Sequence, residues 1–421
     1  MPDAFAELLW RGFVFQATPG CAAHLAAGPI TVYCGFDPTA PSLQLGNLTP
    51  LMMLRHLQQA GHRPVVLMGG GTGLIGDPSG KRQERPLLSR EDIHEHLVRQ
   101  RAQLEHFLDF ASGPAQAHLL DNADWLAAEH LLDFLRDIGK HFSVNVMLQK
   151  ESVQGRLEAG ISYTEFSYML LQAYDFLHLF RTAGCTLQVG GSDQWGNITA
   201  GIDLIRRVAG GDAHGLVAPL ITTATGAKFG KSEGGAVWLD PALTSAYKFY
   251  QFWMNTDDRD VARYLKLFTR LSREEIAALE ASGAQDPARR LGQRRLAADV
   301  TALVHGPGAA TSAAAASGML FDSTDPRSAD AAAFLVLSGE LPTVTIAPDE
   351  TATALDAITR AGLATSKSDA RRAIEQGGIY VNQQRETDPG RRLAPADWLA
   401  GGYILLRRGK KDYALVRTRA G

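Results

Sequence analysis

The chain has 421 residues, which is too many for one compact core and predicts two or three domains. Hydrophobic residues make up 45% and charged residues 21%, as in an ordinary globular enzyme, and no apolar run approaches the roughly 20 residues of a membrane helix. Three widely spaced cysteines support neither a disulfide framework nor a zinc cluster. Since the N-terminus also lacks the layout of a signal peptide, a reducing, cytoplasmic location is predicted.

The net charge of −3 conceals an asymmetry. Residues 351–421 contain 13 Lys and Arg against 7 Asp and Glu, whereas the rest of the chain contains 29 basic and 38 acidic residues. A basic module on an acidic body suggests that the C-terminal part binds a polyanion. A solvated surface with no binding role explains the charge alone equally well.

The first 225 residues alternate short β-branched runs with longer amphipathic segments, which predicts a parallel sheet flanked by helices. In such a domain, ligands bind at the carboxyl ends of the strands. The predicted strands are residues 30–34, 64–68, 118–120, 186–189 and 216–222. The predicted helices between them include residues 47–60, 90–110 and 164–180.

The pattern is wholly helical from residue 245 to about residue 316, which predicts an α-helical domain over residues 226–320. Residues 321–350 contain three Xaa-Pro pairs and are predicted to be a linker with at most one strand. Residues 351–421 are predicted to form a small α/β module. The helical spacing covers residues 247–255, 258–268, 274–282 and 289–305.

A glycine- and proline-rich turn follows the first predicted strand. The segments YCGFDPT (33–39) and SLQLGN (42–47) end that strand and open a helix. A helix N-terminus presents unpaired N–H groups and the positive end of the helix dipole, so this geometry suits a phosphate. Turns of this kind are common in α/β proteins, and the pattern alone is weak.

A second segment, KFGKS (228–232), places Lys228 and Lys231 on a polar loop after the last predicted strand. Mobile lysines can surround the oxygens of a triphosphate and neutralise the charge that builds on departing pyrophosphate. Alone, such a pentamer is more often a solvated turn.

The two segments together resemble the paired signatures of class I aminoacyl-tRNA synthetases. The neighbouring blocks GLIGDPS (73–79) and QVGGSDQWGN (188–197) are similar to those of the tyrosyl enzymes of bacterial type, in the same order and at the same spacing. This resemblance runs nearly from end to end. It implies a Rossmann-like catalytic domain over residues 1–225 that binds tyrosine and ATP, activation of tyrosine as the adenylate, and transfer to tRNA.

Polar residues recur on one face of an otherwise apolar predicted helix. Tyr168, Gln172 and Asp175 are spaced by four and three residues, so they share a face, and each needs a partner when buried. A structural hydrogen-bond network is the alternative to a binding site. The resemblance implies that Tyr168, Gln172 and Asp77 hold the ammonium of tyrosine, that Tyr33 and Asp175 bond its hydroxyl, and that Gln194 lies near its carboxylate.

The resemblance also implies an ATP site and two groups of pyrophosphate-binding cations. Magnesium is expected to arrive with the ATP, held by phosphates and water, and no metal site built from protein ligands is expected. The expected ATP-binding residues are Cys34, Gly35, Asp37, Thr39, Gly46, Gly191, Asp193, Phe229, Gly230, Lys231 and Ser232. The expected catalytic residues are Gln44, Asn47, Lys81, Arg85, Lys228 and Lys231.

The chain departs from the family at Gln44 and Asn47, where the family usually has two histidines. The histidines donate hydrogen bonds to ATP phosphate in the transition state. An amide nitrogen of Asn can overlay His Nδ1, and that of Gln can overlay Nε2, so both amides can act as substitute donors. The hypothesis is that activity survives, at a cost of one or two orders of magnitude if a donor is misplaced.

The C-terminal segments ATSKSDARRAI (364–374) and GGIYVN (377–382) are similar to the RNA-binding fold of small-ribosomal-subunit protein four. Basic clusters on such a domain can straddle a phosphate backbone, with little base specificity. The resemblance implies that the module grips tRNA. The expected tRNA-binding residues are Lys367, Arg371, Arg372, Arg407, Arg408, Lys410 and Lys411.

The working hypothesis is a homodimeric tyrosine–tRNA ligase, with dimerisation implied by the family alone. The related tryptophanyl enzymes are one alternative, against which the pairing of Tyr33 with Asp175 argues, because an indole offers its N–H in a different place. A non-catalytic RNA-binding protein on a synthetase scaffold is the other, motivated by the two missing histidines.

Overall fold

The computed structural model describes residues 3–79, 87–150, 153–155, 160–227, 229–232, 235–322, 324–347 and 352–418. The chain divides into two compact units. The first unit contains residues 1–244 and 256–296, and the second contains residues 245–255 and 297–421.

A six-stranded sheet forms the centre of the first unit, in the order β1-β6-β5-β2-β3-β4. All neighbouring strands are parallel except the short edge strand β1, which is antiparallel to β6. This is the parallel α/β arrangement predicted from the sequence. The strands are β1 (Gln16–Ala17), β2 (Thr31–Phe36), β3 (Arg63–Met68), β4 (His118–Asp121), β5 (Cys185–Gly191) and β6 (His214–Ala218).

Helices pack on this sheet, and a short hairpin of β7 (Lys231–Ser232) and β8 (Gly235–Ala236) follows it. The 21-residue helix Tyr163–Ala183 starts at Ser162, whose hydroxyl accepts the N–H of Glu165, and ends at Gly184 in the left-handed region. The unit's other helices are Ala4–Arg11, Cys21–Ala26, Leu48–Gln59, Arg90–Leu104, Ala123–Leu126, Leu131–Asp137, Val144–Leu148, Trp195–Ala209, Asp258–Phe268 and Arg273–Gln285.

Two predicted elements are shorter than expected. The strand predicted over 216–222 ends at Ala218, because Pro219 has no N–H to donate to the sheet. The helix predicted over 90–110 ends at Leu104.

The second unit contains a five-stranded sheet in the order β11-β10-β12-β13-β9. Strand β9 (Thr343–Ile346) is parallel to β13 (Asp412–Thr418), and the other pairs are antiparallel. The remaining strands are β10 (Ile379–Val381), β11 (Gln384–Glu386) and β12 (Tyr403–Arg408). The helices are Ala246–Met254, Pro307–Phe321, Ala331–Glu340, Ala354–Arg360 and Lys367–Glu375, and Leu291–His305 spans the boundary between the units.

The segment predicted as a linker, residues 321–350, contains the helix Ala331–Glu340 as well as the expected strand. Ala333, Phe334 and Leu337 of this helix are buried, and Phe334 stacks on Tyr403 of β12. Strand β9 pairs with β13 over four residues. The segment is therefore part of the core of the second unit.

The three cysteines, Cys21, Cys34 and Cys185, are free and buried. Burial raises the pKa of Cys21 to about 11 and the pKa values of Cys34 and Cys185 to about 12. Within the described residues, no helix is both long enough and apolar enough to cross a membrane.

Candidate active site

A cavity of about 560 Å³ lies at the carboxyl ends of the parallel strands of the first unit. Asp37 directly follows β2, Gly69 follows β3 and Asn122 follows β4, and all three line the cavity. The wall also includes the start of helix Leu48–Gln59, one face of helix Tyr163–Ala183, the end of β5 and the segments 219–222 and 229–231. This is the place at which open parallel sheets bind ligands.

One end of the cavity combines a buried hydroxyl with a buried carboxyl. Tyr33 on β2 is 1% exposed, and its hydroxyl has no hydrogen-bond partner among the described residues. Burial first, and the nearby Asp175 second, raise the pKa of Tyr33 well above its ordinary value. A buried hydroxyl without a partner costs free energy, so this group is available to bond a polar ligand atom.

Asp175 is 2% exposed and is fixed by two donors. Its Oδ2 accepts a hydrogen bond from Nδ2 of Asn122 at 2.9 Å, and its Oδ1 accepts one from Nε1 of Trp125 at 2.8 Å. Burial raises the pKa of Asp175 to about 8, although both hydrogen bonds act in the opposite direction. The carboxyl therefore has one orientation, with lone pairs left for a ligand.

A second carboxyl, Asp37, is bonded to the same face of helix Tyr163–Ala183. Tyr168 donates its hydroxyl to Oδ2 of Asp37 at 2.7 Å, and Thr72 donates to Oδ1 at 2.7 Å. Burial first and Asp37 second raise the pKa of Tyr168 well above its ordinary value. The structure thus places Asp37, which was expected at the ATP site, in direct contact with a residue expected to bind tyrosine.

A network of amides connects the third carboxyl, Asp77, to the same helix. Gln194 donates to Oδ2 of Asp77 at 2.7 Å and accepts from Gln172 at 3.2 Å. Asn197 donates to Oε1 of Gln172 at 3.0 Å. Asp37 and Asp77, each bonded to this helix directly or through the amides, therefore line the cavity, which suits a ligand with an ammonium group.

Another part of the cavity wall is formed at a short 3₁₀ turn, Leu45–Asn47, that leads into helix Leu48–Gln59. Oδ1 of Asn47 accepts the backbone N–H of Gln44 at 2.8 Å, so the amide nitrogen of Asn47 is left to act as a donor. Both residues line the cavity, together with Thr39 and the exposed Lys231.

Part of this wall consists of glycines, which have no side chain that projects into the cavity. A Cβ atom at Gly35 or Gly46 would meet no atom within 4 Å, so both backbones face open space. At Gly191 a Cβ would come within 2.6 Å of Oδ1 of Asp193. A flat ligand can therefore approach the backbone at Gly35 and Gly46, and a side chain at Gly191 would displace Asp193.

Helix Asp258–Phe268 fastens the chain on both sides of Lys228. Before this lysine, Oδ2 of Asp260 accepts the N–H of Ala224 at 2.6 Å, and Arg263 donates to the carbonyl of Thr222. After it, the ring of Phe229 stacks on Phe268, with centroids 5.3 Å apart and planes at 4°. The loop is therefore anchored by the helix at its two ends.

The cavity contains most of the residues that the sequence nominated for tyrosine and ATP. Lys81, Arg85 and Lys228 lie outside the described residues, and of Ser232 only its place in β7 is described. The nominated residues that line the cavity are Tyr33, Cys34, Gly35, Asp37, Thr39, Gln44, Gly46, Asn47, Asp77, Tyr168, Gln172, Asp175, Gly191, Asp193, Gln194, Phe229, Gly230 and Lys231.

Three residues that hold the carboxyls in place were not predicted: Thr72, Asn122 and Trp125. Asn122 could have been predicted from the sequence, because it is a polar residue that directly follows β4, at the carboxyl end of a parallel strand. Thr72 and Trp125 lie on short helical turns after β3 and β4 and carry no pattern of their own.

The nominated cations of the second unit differ in their contacts. Arg371, Arg372, Lys410 and Lys411 are exposed, whereas Arg408 forms two hydrogen bonds to the carboxylate of Asp369, at 2.8 and 3.0 Å. Lys367 pairs with Asp356 at 2.8 Å. The guanidinium of Arg407 lies 3.9 Å above the ring centre of Tyr380.

Within the part of the chain that the structure describes, no group of three or more His, Cys, Asp or Glu side chains is arranged to hold a metal ion. The wall around Thr39, Gln44, Asn47 and Lys231 offers a hydroxyl, two amides and a cation, which fit phosphate oxygens.

Comparison with known proteins identifies two matching family models. Residues 25–322 match the model for tRNA synthetases class I (W and Y), and residues 335–416 match the model for the C-terminal domain of SYY-like tyrosine–tRNA ligases. The chain is 56% identical over 421 residues to a tyrosine–tRNA ligase of Anaeromyxobacter dehalogenans, with 100% of both chains covered. It is 50% identical to that of Geobacillus stearothermophilus, with 99% of both chains covered.

Solved structures share the fold of the larger part of the chain. A C-terminally truncated mitochondrial tyrosyl-tRNA synthetase of Aspergillus nidulans is 30% identical, with a TM-score of 0.69, and the match covers 76% of this chain and 95% of that one. A tryptophanyl-tRNA synthetase of Encephalitozoon cuniculi has a TM-score of 0.51 at 14% identity, over 73% of this chain and 86% of that one, which is a likeness of fold alone.

Proposed function

The chain belongs to the class I tRNA synthetases of the tryptophan and tyrosine group, and from this membership we propose how its cavity carries out the reaction. Its function is that of a tyrosine–tRNA ligase. Such an enzyme joins the carboxylate of tyrosine to the α-phosphorus of ATP, releases pyrophosphate, and then transfers tyrosine to the 3′-terminal adenosine of tRNA.

The phenol end of tyrosine is proposed to bind between Tyr33 and Asp175. The observation that carries this proposal is the fully buried hydroxyl of Tyr33, which has no partner among the described residues, beside the buried carboxyl of Asp175. A ligand hydroxyl can donate a hydrogen bond to one of these two groups and accept a hydrogen bond from the other. Phenylalanine would leave both groups desolvated and unpaired, and the free energy cost of that state explains its rejection.

The ammonium of tyrosine is proposed to bind Tyr168, Gln172 and Asp77, with Gln194 near the carboxylate. Support comes from the chain of hydrogen bonds that joins Asp77, Gln194 and Gln172. The contact between Tyr168 and Asp37 adds a carboxylate to this group, so we assign Asp37 to the ammonium end as well. Opposite charges at short range favour the charged form of the substrate amine.

ATP is proposed to lie along the open glycines, with its ribose near Cys34, Gly191 and Asp193. Its phosphates would face Thr39, Gln44 and Asn47, with Lys231 and the cations of the two neighbouring loops. No residue forms a covalent bond: the tyrosine carboxylate attacks the α-phosphorus, the bond to the β-phosphate oxygen breaks, and donors and lysines stabilise the charge on leaving pyrophosphate. Magnesium would travel with the phosphates.

The C-terminal module is proposed to bind tRNA through its exposed cations, Arg371, Arg372, Lys410 and Lys411. Arg408 and Lys367 are engaged in ion pairs with Asp369 and Asp356, and we assign them a supporting role within the module. Charge neutralisation of phosphates gives affinity with little dependence on base sequence.

Dimerisation is proposed to use an apolar surface of the first unit. Several large apolar side chains there are exposed, which is unusual for a surface without a partner. They are Leu131, Leu132, Leu135, Val144 and Val146. The proposed compartment is the cytoplasm, which suits three free, buried cysteines.

Amino-acid-dependent exchange of pyrophosphate into ATP tests the assignment of the cavity. Tyrosine is expected to support exchange, and phenylalanine and tryptophan to support it thousands of times less well. The control is the same assay without amino acid. Comparable exchange with tryptophan would refute the pairing of Tyr33 with Asp175 as the specificity element.

Charging of tRNA tests the role of the C-terminal module separately. The variant with both Arg371→Ala and Arg372→Ala should raise the KM for tRNA about tenfold and flatten its salt dependence, with pyrophosphate exchange unchanged. Arg327→Ala combined with Arg417→Ala removes two other exposed cations from the same unit and serves as the matched control. Equal effects in the two double variants would refute the assignment.

A further inference from the structure

The indole of Trp125, which donates to the buried carboxyl of Asp175, is stacked on a histidine. The imidazole of His178 lies face to face with the indole, with ring centroids 4.3 Å apart and an angle of 11° between the planes. His178 follows Asp175 by three residues on helix Tyr163–Ala183, so both side chains project from one face of that helix. The indole is thus held at two points, its N–H by Asp175 and its ring by His178.

We propose that His178 is a positioning residue for recognition of the tyrosine hydroxyl, because it holds Trp125 in the orientation in which the indole N–H bonds Asp175. His178 does not line the cavity, whereas Asp175 does. The histidine therefore acts through Trp125 and touches no substrate. This proposal rests on the proposed role of Asp175 and deepens it.

The hydrogen bonds of Asp175 explain why the position of the indole matters. Each carboxyl oxygen accepts one protein donor, Asn122 on one side and Trp125 on the other. If the indole N–H moves away, Oδ1 loses its donor and the buried carboxyl gains rotational freedom. Its affinity for a hydroxyl then falls, and so does the cost of leaving it unpaired beside phenylalanine.

The surroundings of His178 favour a fixed ring at this position. The ring of Tyr174 lies 6.5 Å away, and its hydroxyl donates to Glu129. Phe134 packs edge-on against Tyr174, with centroids 5.6 Å apart and planes at 86°. His178 therefore belongs to a row of aromatic contacts, and another flat aromatic side chain should replace it better than a small one.

Two substitutions separate positioning from folding. His178→Ala removes the stack, and His178→Phe keeps a flat ring. In tyrosine-dependent pyrophosphate exchange, His178→Ala should raise the KM for tyrosine about 3- to 10-fold with little change in kcat, and should lower the tyrosine-to-phenylalanine ratio of kcat/KM by a similar factor. His178→Phe should restore both values to within about twofold of wild type. Arg181→Ala, an exposed change on the same helix, is the control.

A double-mutant cycle supplies the second measurement. Trp125→Phe keeps a ring but removes the N–H, so it should reproduce the effect on KM. The combination of Trp125→Phe with His178→Ala should then be no worse than the stronger single variant, since both act through one hydrogen bond. Thermal unfolding of each variant verifies that it is folded at the assay temperature.

Three results would overturn the proposal: an unchanged discrimination ratio in His178→Ala, a fall in kcat with KM unaltered, or full additivity in the double variant. If wild-type protein itself fails to discriminate tyrosine from phenylalanine, the proposed function of Asp175 fails instead. The wild-type measurement therefore distinguishes the two failures.

Discussion

The two ends of the cavity are built in different ways. At the proposed amino-acid end, the carboxyls of Asp175 and Asp37 accept hydrogen bonds from neutral side chains, and Asp175 is buried. At the proposed phosphate end, Gln44 and Asn47 lie at a helix start and Lys231 is exposed. The first end is assembled before any ligand arrives.

This contrast fits the two tasks of the enzyme. Discrimination between tyrosine and phenylalanine requires groups that are costly to leave unpaired, and only desolvated, immobile groups have that property. Stabilisation of leaving pyrophosphate requires cations that meet a charge which is absent until the reaction proceeds. Immobile groups at one end therefore explain the selection of tyrosine over phenylalanine, and exposed donors at the other end explain the acceleration of adenylate formation.

The largest effect is expected when the buried carboxyl of Asp175 is replaced by an amide. Asp175→Asn should lower kcat/KM for tyrosine about a hundredfold, because the amide turns a donor towards Asn122 or Trp125 and leaves buried donors unpaired, which costs about 1–3 kcal/mol. Pyrophosphate exchange measures this, with the exposed Asp124→Asn as the matched control. If kcat/KM fell no further in Asp175→Asn than in Asp124→Asn, Asp175 would have no role in recognition.

A loss of about ten- to a hundredfold in the rate of adenylate formation is expected when an amide at the proposed phosphate end is removed. Gln44→Ala and Asn47→Ala should each slow adenylate formation by this factor, which is typical of single transition-state donors, while the affinity for tyrosine barely changes. Single-turnover measurements and tyrosine titration separate the two quantities. Gln154→Ala, at an exposed amide, is the control. Unchanged activation rates would exclude both amides from the mechanism.

A separate effect concerns stability and pH. An unfolded aspartate ionises near 3.8, whereas burial keeps Asp175 protonated in the folded protein up to a pKa of about 8. Between these pH values the unfolded state binds fewer protons, so this group makes the free energy of unfolding fall as pH rises. The Tm of ligand-free wild type should therefore decline relative to Asp175→Asn between pH 5 and pH 8. Parallel Tm curves would contradict the shifted pKa.

Much of the fold and the cavity could be predicted because the signals were local or periodic. Buried β-branched runs marked β2, β3 and β5, and the spacing of Tyr168, Gln172 and Asp175 placed them on one helix face, as the structure has them. The carboxyl-end rule for parallel strands then located the cavity.

The features of the fold and the cavity that could not be predicted depend on contacts between residues far apart in the chain. Strand β9 is short and pairs with β13 about 70 residues later, so its place in a core could not be read from composition. The bond from Tyr168 to Asp37 joins residues 131 positions apart, which is why Asp37 was grouped with ATP. Trp125 reaches Asp175 from a four-residue helix that has no periodicity.

The structure also sharpens how the C-terminal module can be studied. Truncation after residue 348 would remove β13 and leave β9 without a partner, so loss of tRNA charging in such a fragment would mix misfolding with lost binding. Substitution of Arg371 and Arg372 on the exposed side of helix Lys367–Glu375 leaves the sheet intact.

The burial of the three cysteines has a practical consequence for watching the enzyme at work. With thiol pKa values of about 11 to 12, roughly one thiol in ten thousand or fewer is ionised at neutral pH, and only the ionised form reacts with a maleimide. A cysteine introduced on the surface would ionise far more readily and be labelled first. Fluorescent dyes can therefore be attached at chosen positions in the otherwise native sequence.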